Sequence, residues 1–485
     1  MLRFVALWLL VRVFGRLPVR VLYAAAVLLD QPVEGFVWPD WLRYDDDVDS
    51  DFKGVQIVPS GFFGSQYGTA DSIPSPPLAS VDGVPLLFGT SEIRRAGNSL
   101  VVGADLLAST YFMLTRYEEW VRGGVRDAHG RFPGKESLPY RAGFIDRPIV
   151  DEYEELLRTW AGQAGVSVTA PNRRFSVLLT HDVDQIRTRH RYYNLARAVK
   201  KALLGRESWR QVARKALLAF KLFPDPADNM DDVIGLDRTM MASGNATRCQ
   251  SVYFFMADDR AVSDGNYDIH GPRARRIIHD VLQSGATVGL HASYHAGQFP
   301  EDITDERIRL EEAVGVRIYK NRHHFLAWRD PEDGHALAAS GITWDSTLGY
   351  ADVAGFRLGV CRPIPLFDPH RRCMLGIEEH PLIVMDCTLS SDGYMNLDED
   401  SAFAHVCKLA DVAFQHGGEF VVLWHNHVLG KTDGSYHARL YPRILDYLGS
   451  LLQSDLGRVA RRTKQYTPHP IKGPTTHASL TIHSS

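Results

Sequence analysis

The sequence has no cysteine pair at CxxC spacing, no strong surplus of either charge, and no long apolar N-terminal segment. Its five cysteines, Cys249, Cys361, Cys373, Cys387 and Cys407, are scattered and odd in number. That excludes a disulfide framework or a zinc knuckle and fits a reducing compartment. A formal net charge of −4 and a pI of about 6.6 argue against a dedicated nucleic-acid binder. The N-terminal apolar runs Phe4–Val11 and Val21–Leu29 are far shorter than the ~20 residues a membrane-spanning helix needs. Phe4–Val11 follows Arg3 as the apolar part of an export signal would. However, Arg12, Arg16 and Arg20 interrupt it, and no small-residue cleavage site follows. The expectation is a membrane-surface or packed helix in a cytoplasmic protein, with membrane association left open.

At 485 residues the chain is too long for one ordinary core, so two or three domains are expected. A content of 45% hydrophobic and 23% charged residues is that of a soluble globular protein. Residues 1–170 read as a mixed α/β domain, punctuated by Pro- and Ser-rich stretches such as Ile73–Leu78. Asp105 can cap a helix through Leu106–Val121, and Ile149–Ala161 reads as a second helix. The run Arg116-Tyr-Glu-Glu-Trp120 reads most simply as a helix surface with an aromatic anchor.

From residue 171 the chemistry changes. Phe175–Leu179 is a short apolar run, the pattern of a buried strand, and it leads into Thr180-His181-Asp182-Val183-Asp184. Ionisable groups at the tip of a buried strand are costly unless something satisfies them. Asp182 and Asp184 are two residues apart, so an extended backbone points both carboxylates the same way. An Asp-rich surface turn is the plainer alternative. The segment Ile186–Lys221 holds eleven Lys or Arg against one acid, Glu207. Its apolar residues recur at helical spacing, which predicts a basic helical hairpin inserted at 186–230. It reads as a solvated insertion or as a contact for a membrane surface or an anionic glycan.

Strand–helix alternation then runs from Ser251 to about 455, the signature of parallel βα units. In such folds function sits where strands end. Strand ends carry His291-Ala-Ser-Tyr-His295, Asn321-Arg-His-His-Phe325 and Leu423-Trp-His-Asn-His427. On a turn of helix His291 and His295 would share a face and could grip one divalent ion. Each motif alone is common by chance; what lifts them is their shared placement. A histidine at 425 can donate a proton near neutral pH. Residues 456–485 lack periodicity and read as a flexible tail.

In this order, Asp182/Asp184, His291-x-x-x-His295, Arg322, Asp345 and Leu423-x-His425 resemble the five motifs of the NodB-like polysaccharide deacetylases, carbohydrate esterase family 4. The resemblance covers roughly residues 175–450. The first ~170 residues, with Leu114-Thr-Arg-Tyr-Glu-Glu119 and Arg126-Asp-Ala-His-Gly-Arg-Phe132, are similar to an uncharacterised domain that precedes such deacetylases. The resemblance implies a distorted (β/α)7 barrel behind a smaller mixed α/β domain, and a divalent metal, Zn²⁺ by preference. It implies Asp184, His291 and His295 as metal ligands and Asp182 as general base. Arg322 would orient that base, and His425 would be the general acid, tuned by Asp345. The implied substrate is an N-acetylated sugar of a polysaccharide or cell-envelope glycan. Three positions depart from the family pattern: the DxD spacing, Ala292 after the first histidine, and His324 where proline is usual. His324 is therefore an extra ligand or a substrate contact. Gly355–Gly359 and Met385-Asp386 are expected near the sugar pocket, where Arg357 would suit an anionic group, or else as ordinary loops. Two other readings remain at this stage: a glycan-binding scaffold on a degenerate barrel, and a metal hydrolase of another C–N bond. The sequence does not fix an oligomeric state.

Overall fold

The computed structural model describes residues 18–462, apart from short stretches at 189–190, 221, 223–224, 226, 245–247, 259–263, 266 and 431–434. The Phe4–Val11 run and the tail from residue 463 lie outside the described residues.

The N-terminal segment is built on a four-stranded sheet. Strands β1 (Leu42–Tyr44), β2 (Gly54–Ile57) and β6 (Ser99–Ala104) are parallel, and β5 (Gly89–Ala96) closes the edge antiparallel to β6. A small hairpin, β3 (Ala79–Val81) and β4 (Val84–Leu86), stands apart. The apolar segment after Arg20 forms a packed helix, Val19–Leu28, with Tyr23, Ala24 and Leu28 fully buried. Its Tyr23 hydroxyl donates to the carbonyl of Pro365 at 2.9 Å, and its ring stacks on Phe367 at 4.7 Å. The helix predicted over Leu106–Val121 is broken. Asp105 caps Leu106–Leu114 as expected, accepting the Ala108 N–H, but Arg116 turns left-handed at φ 51 and a second short helix, Tyr117–Val121, follows. Arg116, Glu118 and Glu119 are buried, contrary to the surface reading, because Glu118 meets Arg122 and Arg141 and the other two charges meet partners far along the chain. Arg116 Nη2 lies 2.5 Å from Asp330 Oδ1, and Glu119 is paired with Arg357.

The C-terminal segment carries a nine-stranded sheet. Its strands are β7 (Ser176–Val183), β8 (Cys249–Phe255), β9 (Thr287–Ala292), β10 (Lys320–His323), β11 (Trp344–Asp345), β12 (Ile364–Asp368), β13 (Cys373–Glu379), β14 (Val384–Met385) and β15 (Glu419–Leu423). The spatial order is β12-β13-β11-β10-β9-β8-β7-β15-β14, with every neighbouring pair parallel except β12 and β13. The predicted strand–helix alternation is met: helices Pro272–Gln283, Ile303–Val314, Glu332–Ser340 and Glu399–Gln415 follow or precede the strands as the periodicity requires. The hairpin β12–β13 was not foreseen. The interior strand β7 is buried from Val177 through Val183, as expected of a parallel strand covered on both faces. The basic segment is a helical hairpin, Arg191–Leu203 and Trp209–Ala219, the second helix opened by a capping box between Ser208 and Gln211. The last helix runs from His437 to Arg462, past the position where the tail was expected to begin. Among the described residues no helix is long and apolar enough to cross a membrane.

Candidate metal and acid–base site

Parallel register brings the polar strand ends to one edge of the sheet. Arg322 lies opposite His291 across β10 and β9, and Leu423 lies opposite Thr180 across β15 and β7. Asp182 and Asp184 both approach the ring of His291. Its Nε2 is 3.6 Å from Asp182 Oδ2 and 3.4 Å from Asp184 Oδ1. Nδ1 of His291 donates to the carbonyl of Arg322 at 2.8 Å, which fixes the ring and leaves Nε2 facing the acids. His324 enters from the end of β10. Its Nδ1 bonds Asp264 Oδ1 at 3.2 Å, and its Nε2 sits 3.9 Å from Asp184 Oδ1. One ligand atom from each of Asp184, His291 and His324 fits within a 4.8 Å cluster.

His295 is not in that cluster. Beyond Ala292 the chain turns instead of continuing as a helix, so the two histidines do not share a face. His295 Nε2 faces Asp302 at 3.0 Å. The residue that replaces it beside Asp184 is His324, the position where the family resemblance departs from proline. A divalent cation suits this trio. Asp184 Oδ1 and His291 Nε2 are buried without a hydrogen-bond partner, an arrangement that costs free energy unless a cation accepts both lone pairs. Each histidine also has the outer hydrogen bond that orients a metal-ligating imidazole. Burial would raise the pKa of Asp184, but the three surrounding histidines outweigh it and hold the carboxyl well below its ordinary range.

Asp182 lies beside Arg322, whose Nη1 is 3.5 Å from Asp182 Oδ1. Arg322 is itself fully buried and held by Thr180 Oγ1 at 2.6 Å and by the carbonyl and hydroxyl of Ser346 at 2.8 and 2.7 Å. Burial lowers its pKa, and Asp182, Asp345 and Glu379 only partly offset that.

His425 stands just past β15, its Nε2 3.8 Å from Asp184 Oδ2. Its partner is Asp386, not Asp345. The His425 backbone N–H donates to Asp386 Oδ2 at 2.6 Å, and Nδ1 donates to Oδ1 at 2.8 Å. The pairing follows from β14 running parallel to β15, with Met385 opposite Leu423. Burial alone would depress the imidazole. The Asp386 carboxylate outweighs it and raises the His425 pKa well above its ordinary value. Asp345 lies instead on β11, next to the strand of Arg322. It accepts from Asn321 Nδ2 at 2.7 Å and from the N–H of Thr347 at 2.9 Å. Its register partner Glu379 is pushed well up by burial and by the Asp345 charge. Arg357 does not face a sugar pocket; both Nε and Nη2 donate to Glu119, at 2.9 and 2.6 Å. Sequence reasoning missed Asp264 altogether. It singled out Asp386 only as a pocket residue, although its place directly after an apolar pair was a usable signal.

Residues 40–164 match a family of unknown function, DUF7033. Among solved structures, a protein from Mycobacterium smegmatis assigned as a polysaccharide deacetylase is 14% identical, with a TM-score of 0.37, covering 64% of this chain and 98% of its own. A family 4 carbohydrate esterase from Streptomyces lividans in complex with acetate is 11% identical, with a TM-score of 0.28, covering 58% of this chain and 91% of its own. No curated protein matches the sequence. By the order of its polar strand ends the chain resembles the NodB-like polysaccharide deacetylases, and the segment ahead of them matches DUF7033.

Proposed function

We propose that the protein is a metal-dependent hydrolase that removes N-acetyl groups from sugars of a polysaccharide or cell-envelope glycan. One observation carries the reading: Asp184, His291 and His324 converge, the ligand atoms of the first two buried and unpartnered, between a carboxylate beside an arginine and a histidine held by aspartate. A divalent ion held by these three residues, Zn²⁺ by preference, would supply Lewis-acid polarisation of the acetyl carbonyl. The chain's own residues do the rest. Asp182, with the Arg322 guanidinium beside it, takes a proton from the attacking water. His425, held protonated by Asp386, gives its proton to the departing amine as the C–N bond breaks and acetate leaves.

The test is acetate release from N-acetylated oligosaccharides by protein stripped of metal and refilled with Zn²⁺ or Co²⁺. Asp184→Ala and His324→Ala are expected to lose both metal and activity, and His295→Ala to keep most of both. Equal acetate release by wild type and Asp184→Ala would overturn the proposal. Metal loss in His295→Ala, with none in His324→Ala, would restore the ligand set expected from the family.

A second element bears on where the enzyme works. Large apolar side chains stand in solvent at the tip of the basic hairpin: Leu203 is 72% exposed, Leu204 59% and Trp209 60%. Lys200, Lys201, Arg206 and Arg210 surround them, all exposed. Exposed leucine and tryptophan inside a basic collar fit an anionic lipid surface better than a purely polar polyanion. We infer that the hairpin docks the protein on such a surface, next to an envelope substrate.

A further inference from the structure

The segment matching DUF7033 reaches the metal-site loops through one short loop, Arg126–Phe132, and that contact is specific. Asp127 shapes the loop: its Oδ1 accepts the N–H of His129 at 2.9 Å and of Arg131 at 3.0 Å, and its Oδ2 accepts Nε of Arg131 at 2.7 Å. Arg131, buried, then extends the rest of its fork to the C-terminal segment. Nη1 donates to the backbone carbonyl of Phe325 at 2.9 Å, and Nη2 donates to the Tyr394 hydroxyl at 2.9 Å. The ring of His129 lies flat on Phe325, with centroids 4.4 Å apart and planes 10° apart, and meets Tyr294 edge-on at 5.9 Å.

Phe325 is the next residue after His324, and its ring stacks on His324 at 4.2 Å. Tyr294 lies three residues past His291 and packs on the same Phe325 ring at 5.3 Å. Phe325 and Leu326 both have left-handed backbones, φ 59 and φ 54. Bulky residues adopt that conformation only where their surroundings impose it. The surroundings here are Arg131 on the carbonyl and His129 on the ring. Domain docking does not depend on these contacts. It is also secured by Arg116 on Asp330, Glu119 on Arg357, the Gly134 N–H on Asp352 at 2.7 Å and Lys135 Nζ on the Tyr394 carbonyl at 2.9 Å. What Arg131 and His129 add is a hold on the one turn that carries a candidate ligand.

We propose that Arg131 and His129 are positioning residues of the metal site: through Phe325 they fix the turn that aims His324 at Asp184, so the domain of unknown function completes the site of its neighbour. The inference rests on the Asp184–His291–His324 ligand set proposed above. It gives the motif Arg126-Asp-Ala-His-Gly-Arg-Phe132 a task that local structure does not require of it.

Co²⁺ titration of the metal-stripped full-length protein, followed by visible absorption, tests it without relying on activity. Arg131→Ala is expected to weaken Co²⁺ binding by roughly 10–100-fold, the usual effect of losing an outer-sphere partner, and to change the band shape. Arg131→Lys keeps the charge but cannot make all three of the guanidinium's contacts. It should shift affinity in the same direction, and it supplies the reading if the alanine variant does not fold. Lys135→Ala breaks a neighbouring inter-domain bond without touching Phe325 and should leave Co²⁺ binding as in wild type. Wild-type affinity and spectrum in Arg131→Ala and Arg131→Lys, with binding lost in His324→Ala, would overturn the positioning role alone. An equal loss in Lys135→Ala would overturn it in favour of general docking. Undiminished binding in His324→Ala would overturn the ligand set, and this inference with it.

Discussion

Replacing Asp386 by asparagine isolates what the carboxylate does for His425. The two groups are 2.8 Å apart, and Asp386 is fully buried. At that distance and an effective permittivity of about 20, opposite unit charges attract by about 6 kcal/mol. Burial opposes the charged imidazole and takes back part of this, yet the net shift is strongly upward. Asparagine keeps the shape and an acceptor oxygen but removes the charge. The imidazolium then loses its stabilisation while its burial penalty remains, so its pKa must fall. A group that gives a proton is active below its pKa. Lowering that pKa therefore moves the alkaline limb of the kcat/KM profile to lower pH and leaves less of the acid form at neutrality. Losing a general acid costs about 10²–10⁴-fold in rate, which sets the expected fall in kcat. Asp345→Asn is the control. Asp345 is equally buried but bonded to Asn321 and Thr347, so its loss should leave the alkaline limb in place. The assay is initial acetate release from an N-acetylated oligosaccharide across the neutral and alkaline range. The reasoning fails if both variants keep the wild-type limb, or if Asp345→Asn is the one that moves it.

Three further outcomes follow from the geometry. His380 is pushed up to about 9: burial would lower it, but Glu419 at 2.6 Å and Glu378 at 3.1 Å outweigh burial. Because the folded state holds the proton more tightly than an unfolded histidine near 6.5, this stability is full below about pH 6.5 and is lost as pH rises through 9, about 3 kcal/mol in all; a urea midpoint that is flat over that window, or a slope that survives in His380→Gln, refutes it. Glu119→Gln leaves Arg357 buried without its counter-charge and should destabilise by about 3–5 kcal/mol, whereas Glu119→Met combined with Arg357→Met should cost much less; additive effects in that double-mutant cycle would show that the pair is not coupled. Changing Leu203, Leu204 and Trp209 together to glutamate should abolish co-flotation with vesicles containing phosphatidylglycerol while leaving acetate release from soluble oligosaccharides unchanged; equal flotation with pure phosphatidylcholine, or binding to heparin that survives the change, refutes a lipid surface.

Much of the nine-stranded sheet was legible because its signals are local. Val177-Leu-Leu179 is apolar on both sides of the pleat, and the polar residues after it mark where the strand leaves the core. Arg322 beside Asp182, and His425 near Asp184, were implied by the family resemblance, and the strand order accounts for both. The failures share a cause: each depends on a backbone turn or a distant charge that no window of sequence contains. His295 was preferred to His324 because HxxxH suggests a helical face, but the chain turns after Ala292. His324 reaches Asp184 through a left-handed turn at Phe325 and Leu326, where neither residue type announces one. Asp386 follows a strand of two residues, too short to show a period. Arg116 and Glu119 look like a solvated helix face until Asp330 and Arg357, more than two hundred residues later, neutralise them.

His181 shows the same rule from the other side. It lies between Thr180 and Asp182, and the sequence suggested no role for it. Side chains alternate along a strand, so the pleat that sends Asp182 toward Arg322 must send His181 to the opposite face of β7. There its Nδ1 meets the Trp424 carbonyl at 2.7 Å and its Nε2 meets Asp237 at 2.9 Å. Asp237 also accepts from Ser251, Tyr253 and Tyr441, so the hydroxyls gathered around it are matched. Trp424 immediately precedes His425. The His181 ring therefore ties the backbone next to the proposed acid to the strand that carries the proposed base. A substitution at His181 would loosen the spacing of the site from beneath it, without removing any group that touches substrate.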